Sequence, residues 1–78
     1  MSEAIHMQSE SMAGDLTSAF ARCFRGHDGE RVLAHLRRIT IERRPAPDCS
    51  EAELRHLEGQ RHLAAYILQL VARGQLGA

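Results

Sequence analysis

The strongest constraint on this chain lies in its last third. Residues 51–73 contain no proline and are opened by Ser50, Glu51, Ala52 and Glu53. That tetrapeptide has the spacing of a capping box: the serine hydroxyl accepts from an unpaired N–H of the first turn, and Glu53 reaches back to the N–H of the cap. The spacing predicts a helix from Glu51 to Arg73, spanning about 35 Å at 1.5 Å per residue. Gly74 is expected to close it in the left-handed conformation, with Leu76 folding back on the last turn. Gly59 costs about 1 kcal/mol relative to alanine inside such a helix, which points to close backbone packing there.

The C-terminal half of this helix is apolar on more than one side. In projection, Leu63, Ala64, Tyr66, Ile67, Leu70 and Val71 form a broad face, while Ala65, Leu68 and Ala72 form a second, narrower one. Arg55, Glu58, His62, Gln69 and Arg73 make a polar seam between them, with Glu58 placed four residues before His62 to pair with it. A surface helix needs a single apolar stripe, and one that is apolar on most sides is normally buried on most sides. The first face is therefore expected to pack within the chain. The second, Ala65, Leu68 and Ala72, is expected to meet another copy or a partner protein.

What precedes is shorter and simpler. Leu16, Ala19, Phe20, Cys23 and Phe24 fall at i, i+3, i+4, i+7 and i+8, one stripe of an amphipathic helix, with Ser11 or Asp15 as cap and Gly26 as stop. Asp28 offers a cap for a second helix carrying Val32, Leu33, Leu36, Ile39 and Thr40, whose end the β-branched residues 39–41 leave open. Pro45 and Pro47 disfavour helix just before them, so the chain is expected to be extended over residues 42–48. The first eleven residues have no sustained period and read as a flexible arm. The expected fold is all-α: two short helices packed on one long C-terminal helix, a single domain over residues 12–78, and a disordered N-terminal arm over residues 1–11.

A chain of 78 residues buries only about 60% of its unfolded surface, and domains of this size usually need a staple. Cys23 lies in an apolar stripe and Cys49 in the connector, so both read as free thiols. With no signal segment, a reducing cytoplasm is the expected location. The longest apolar run, residues 63–68, is far short of the ~20 needed to cross a bilayer, and no membrane partner is expected. The five histidines include no His-x-x-x-His pair, there is no Cys-x-x-Cys, and Gly26 separates Cys23 from His27. No metal site is expected. Neither a nucleophile with its base, nor paired carboxylates, nor a phosphate loop can be drawn, so no catalytic residue and no cofactor is expected. The turn Gly26, His27, Asp28, Gly29 could bind an anion at a helix start, but joining two helices accounts for both glycines. Self-association into a homo-oligomer is the expected staple.

All ten basic residues are arginines, and ten acids balance them. The balance is uneven along the chain: residues 1–21 carry a net −3, residues 22–44 a net +4 and residues 45–78 a net −1. Arg37, Arg38, Arg43 and Arg44, with Arg31 one to two turns earlier, form the main electrostatic feature. Guanidinium groups pair with phosphates or with carboxylates of a protein, and either an acidic partner or the DNA backbone fits, as does a solvated or internally paired face. Zero net charge and scarce aromatics (Phe20, Phe24 and Tyr66) argue against a sequence-specific nucleic-acid reader.

Phe20 and Phe24, the segment Gly29, Glu30, Arg31, Val32, Leu33, Ala34, His35 and Leu36, and the run Leu57, Glu58, Gly59, Gln60 and Arg61 leading to Tyr66, Ile67 and Leu68 together resemble short helical proteins of tailed phages, prophages and phage-derived gene transfer agents. The resemblance spans about residues 16–73 of the chain. It implies a place in the head-assembly or DNA-packaging module, with other phage-type packaging or head proteins as partners. Its concrete version is a small-terminase-like role, in which an oligomeric helical protein regulates the packaging motor and touches DNA nonspecifically. The chain lacks a clear N-terminal helix-turn-helix, which puts recognition of a DNA site in doubt. Two rivals stay open: a nucleic-acid-binding regulator using the arginine segment 37–44, and a monomeric adaptor for one specific protein partner.

Overall fold

Ser50 sets the start of the longest element. Its Oγ accepts the Glu53 N–H at 3.1 Å, a cap worth about 1 kcal/mol over alanine, and the helix behind it runs from Glu51 to Leu76. The expected reciprocal bond from the Ser50 N–H to Glu53 is not made. The computed structural model describes residues 16–77. Helical residues 16–23 form α1, Gly26–Ile39 form α2 and Glu51–Leu76 form α3, with no strand among the described residues. The expected all-α arrangement of two short helices on a long C-terminal one is what the chain adopts. The arm expected over residues 1–11 and the candidate caps Ser11 and Asp15 lie outside the described residues.

Four glycines have roles that differ from, or sharpen, the expectation. Gly74 does not end α3. It is helical and buried, and a Cβ there would lie 2.1 Å from the Thr17 carbonyl oxygen and 2.7 Å from the Ala21 Cβ. α1 therefore crosses α3 over a bare backbone, and the helix ends instead at Gly77, whose N–H donates to the Arg73 carbonyl at 2.8 Å. Leu76 does not fold back; it is 89% exposed. At the other bend, α2 starts at Gly26 rather than after Asp28, because Gly26 adopts φ +86° and reverses the chain by itself. Gly29 is buried, and a Cβ there would sit 2.1 Å from the Phe24 carbonyl group. Asp28 falls in the first turn, where its charge favours the unpaired N–H groups. Gly59 has nothing within 4 Å of the place its Cβ would occupy. The close packing expected there is absent, and its propensity cost is not offset by contact.

α2 turns Gly29, Leu33 and Leu36 inward, with Thr40 just past its end, at spacings of four, three and four. α3 buries Leu57, Ala64, Leu70, Val71 and Gly74 and half-buries Arg61, Ile67 and Leu68, so its covered stripe is narrow near Leu57 and widens toward the C-terminus. The broad face expected on α3 is only part covered. Ala64, Leu70 and Val71 are buried, Ile67 is half-buried, and Leu63 and Tyr66 are 60% and 48% exposed. Val32 and Ile39 of α2 also face outward.

No large side chain among the described residues is fully buried. Two substitutions check this account by urea denaturation. Gly59→Ala should raise stability by about 1 kcal/mol, and Gly74→Ala should lower it by about 1–3 kcal/mol by prising α1 from α3. A neutral Gly74→Ala would contradict the crossing.

Candidate functional site

The end of α2 is a hydrogen-bonding hub. Thr40, one of the few buried polar residues, donates its hydroxyl to the Leu36 carbonyl at 2.6 Å and its N–H to the Arg37 carbonyl at 3.3 Å. Its own carbonyl accepts from the Arg43 N–H at 3.3 Å and from Arg61 Nε of α3 at 3.0 Å. Arg61 Nη2 donates to the Arg43 carbonyl, while Nη1 pairs with Glu58 one turn earlier at 2.8 Å. One planar guanidinium thus ties the connector to the middle of α3 with two of its five donors, while a third holds Glu58 of the same helix. By contrast, the contacts of Arg38 with His35, Glu53 with Ser50, Arg55 with Glu51 and Gln60 with His56 each join neighbours three or four apart on one segment. Glu58 pairs with Arg61 and not with His62, because the long forked side chain reaches it while also serving the two carbonyls.

Arg61 was not among the residues singled out as a site. Its acceptors are main-chain carbonyls 18 and 21 residues away, and no side-chain pattern marks a carbonyl as an acceptor. The one local signal is the Glu58, Gly59, Gln60, Arg61 turn, whose i, i+3 spacing suits an acid–arginine pair.

The clasp positions the arginine group. Arg37 and Arg38 occupy the last turn of α2, where positive charge is favoured by the helix dipole, and Arg43 and Arg44 follow in the connector held by Arg61. All four side chains are exposed. Arg31, Arg55 and Arg61 each lie within 4 Å of a carboxylate, but Arg37, Arg38, Arg43 and Arg44 do not. The contact that Arg38 makes is with His35 Nδ1 at 3.3 Å. The structure brings these four residues to one end of α2 as unneutralised charge, which leaves them available to phosphate or carboxylate groups.

The second candidate surface is less uniform. Ala65 and Ala72 are exposed and Leu68 between them is half-buried, because it also belongs to the internal seam. Leu54, at 40% exposure, lies within about 20° of Ala65 and Ala72 on a helix of 3.6 residues per turn, so the same side of α3 is extended toward its N-terminus. Both thiols, Cys23 and Cys49, are free. Among the described residues no group of three or more His, Cys, Asp or Glu could hold a metal ion, and no helix is long and apolar enough to cross a membrane.

Residues 20–75 match a family model described as Bbp19-like phage protein. Neither curated proteins nor solved structures offer a match. The matched stretch contains Gly29 and Gly74, the Arg61 clasp and the four exposed arginines. Replacing Arg61 tests the clasp: Arg61→Ala should cost about 2 kcal/mol of stability, the scale of charge-assisted bonds to carbonyls. Arg61→Lys should recover little of it, since an ammonium lacks the fork that reaches three acceptors. Full recovery by lysine in a urea titration would contradict the geometry.

Proposed function

The chain belongs to the family of Bbp19-like phage proteins, and on that footing we propose that it is a non-enzymatic protein of phage head assembly or DNA packaging. In this reading it is a small-terminase-like oligomeric regulator that works by contact with other proteins of the module. The observation that carries the reading is apolar surface left uncovered on two sides of α3, with Leu54, Ala65 and Ala72 exposed on one and Leu63 and Tyr66 on the other. Small residues around Leu68 let a second helix approach closely, and copies of a chain with zero net charge do not repel one another strongly. The arginine group Arg37, Arg38, Arg43 and Arg44 then contacts an acidic protein surface or DNA from the end of α2.

A second reading, a nucleic-acid-binding regulator, is favoured by one observation: those four guanidinium groups lack carboxylate neighbours. Two experiments separate the readings. Leu68→Glu should release a folded monomer from an oligomer, measured by light scattering coupled to size exclusion; an unchanged mass removes the Leu68 face from the proposal. For DNA, the logarithm of affinity falls with the logarithm of salt by about 0.9 per phosphate contacted. Tight binding with a steep slope that Arg43→Ala and Arg44→Ala abolish favours the regulator, and no binding at low salt excludes it.

A further inference from the structure

Between α2 and α3 lies an open cleft walled by Leu36 and Ile39 from the first helix and by Leu63 and Ile67 from the second, with Arg43 and Gln60 at one end. Ile39 is 44% exposed and Leu63 60%, so the chain does not fill this apolar wall itself. Arg43 is the one charged residue in it, and its guanidinium has no carboxylate within 4 Å among the described residues. Glu53 shares the space beneath the connector with Arg43 but comes no closer than that limit. Arg61 holds the main chain at Arg43, which anchors the residue at that end of the cleft. An apolar trough with a cation at one end suits a helix that carries apolar residues and, about two turns away, a carboxylate.

The chain carries such a surface on the opposite side of α3. On a helix of about 3.6 residues per turn, Leu54, Ala65 and Ala72 point roughly 150° away from Gln60, Leu63 and Ile67, and all three are exposed. Glu58 lies between Leu54 and Ala65 on that side. Its Oε1 accepts from Arg61 at 2.8 Å, its side chain is 60% exposed, and a carboxylate has a second oxygen to offer. Charge is divided in the same way: residues 51–58 carry Glu51, Glu53 and Glu58 against Arg55 alone, whereas residues 31–44 carry five arginines against Glu42. We propose that the cleft receives the Leu54, Ala65 and Ala72 side of α3 from a second copy, with its alanines on the apolar wall and its Glu58 paired with Arg43. From Glu58 to Ala65 is about 10 Å of helix, as is Gln60 to Ile67, so a guest with Glu58 at Arg43 sets Ala65 beside Leu63 and Ile67. Because ridge and cleft lie on opposite sides of α3, one two-fold contact cannot satisfy both, and the contact runs head to tail into a third copy. The inference rests on the self-association proposed above, and adds the surface that receives the Leu68 side and the ion pair that fixes its direction.

The test uses two full chains, both carrying Cys23→Ser and Cys49→Ser. One bears Ala65→Cys and the other, distinguished by a mass tag, Leu63→Cys; both positions are exposed. Refolded together at low salt and treated with a short bis-maleimide, they should give adducts that join one chain to the other, with neither chain linked to its own kind. Arg43→Glu in the Leu63→Cys chain should cut that yield about tenfold. Glu58→Lys in the Ala65→Cys chain should then restore it, a rescue that loss of fold does not allow. Ala65→Cys chains linked to one another would overturn the proposal, since ridge then meets ridge, and would leave the self-association reading standing. Failure of Glu58→Lys to restore the yield would overturn it as well. A monomeric mass by light scattering with no adduct would sink both readings together.

Discussion

The described helices bury few side chains and enclose no large one completely, and the rest of this structure follows from that constraint. Leu57, Ala64, Leu70 and Val71 are the buried apolar residues among those described. Close approach compensates in part for so small a core. α1 sits on the backbone of Gly74, and the α1–α2 bend presses Gly29 against Phe24, so short helices make contact where larger residues would hold them apart.

Arg61 fixes the remaining freedom. Without it, the Arg43 carbonyl would lose its side-chain donor and the Thr40 carbonyl would keep only the Arg43 N–H, beside a helix end that already leaves several carbonyls unpaired. By binding the Thr40 and Arg43 carbonyls, it determines where α2 stops and how the proline-containing connector leaves toward Ser50. The same contact holds Arg43 and Arg44 beside Arg37 and Arg38, so a structural bond on one side of the connector shapes the charge presented on the other. The Gly59 gap, two residues before Arg61, has no comparable duty among the described residues.

Local features were legible in the amino-acid order. The Ser50 cap, the glycine bend at residues 26–29 and the break imposed by Pro45 and Pro47 each depend on a few neighbouring residues, and each appears close to where it was expected. Features set by distant partners were not. Gly74 looks like a helix stop because a stop and a helix crossing both favour glycine, and only Thr17, far away in sequence, distinguishes them. Periodicity placed Leu63 and Tyr66 with Leu70 on one face, but it does not say how wide a strip the neighbouring helix will cover. For the same reason the stripe from Leu16 to Phe24 read as core and lies largely open. Exposure of the four arginines was legible from charge and spacing. The clasp that gathers them was hidden, since its acceptors are main-chain carbonyls.

Family membership places the chain among phage proteins, and the small core with its uncovered side of α3 is the physical basis for proposing that a second copy packs along Ala65, Leu68 and Ala72. A native state that exists only as an assembly is stabilised by mass action, so its melting temperature depends on chain concentration. The direct measurement is the thermal midpoint of the unmodified chain, followed by circular dichroism over about a hundredfold range of concentration. The midpoint should climb steadily with concentration. A sharp, cooperative transition at one fixed temperature throughout that range would mean that the chain is stable alone, and would contradict the account.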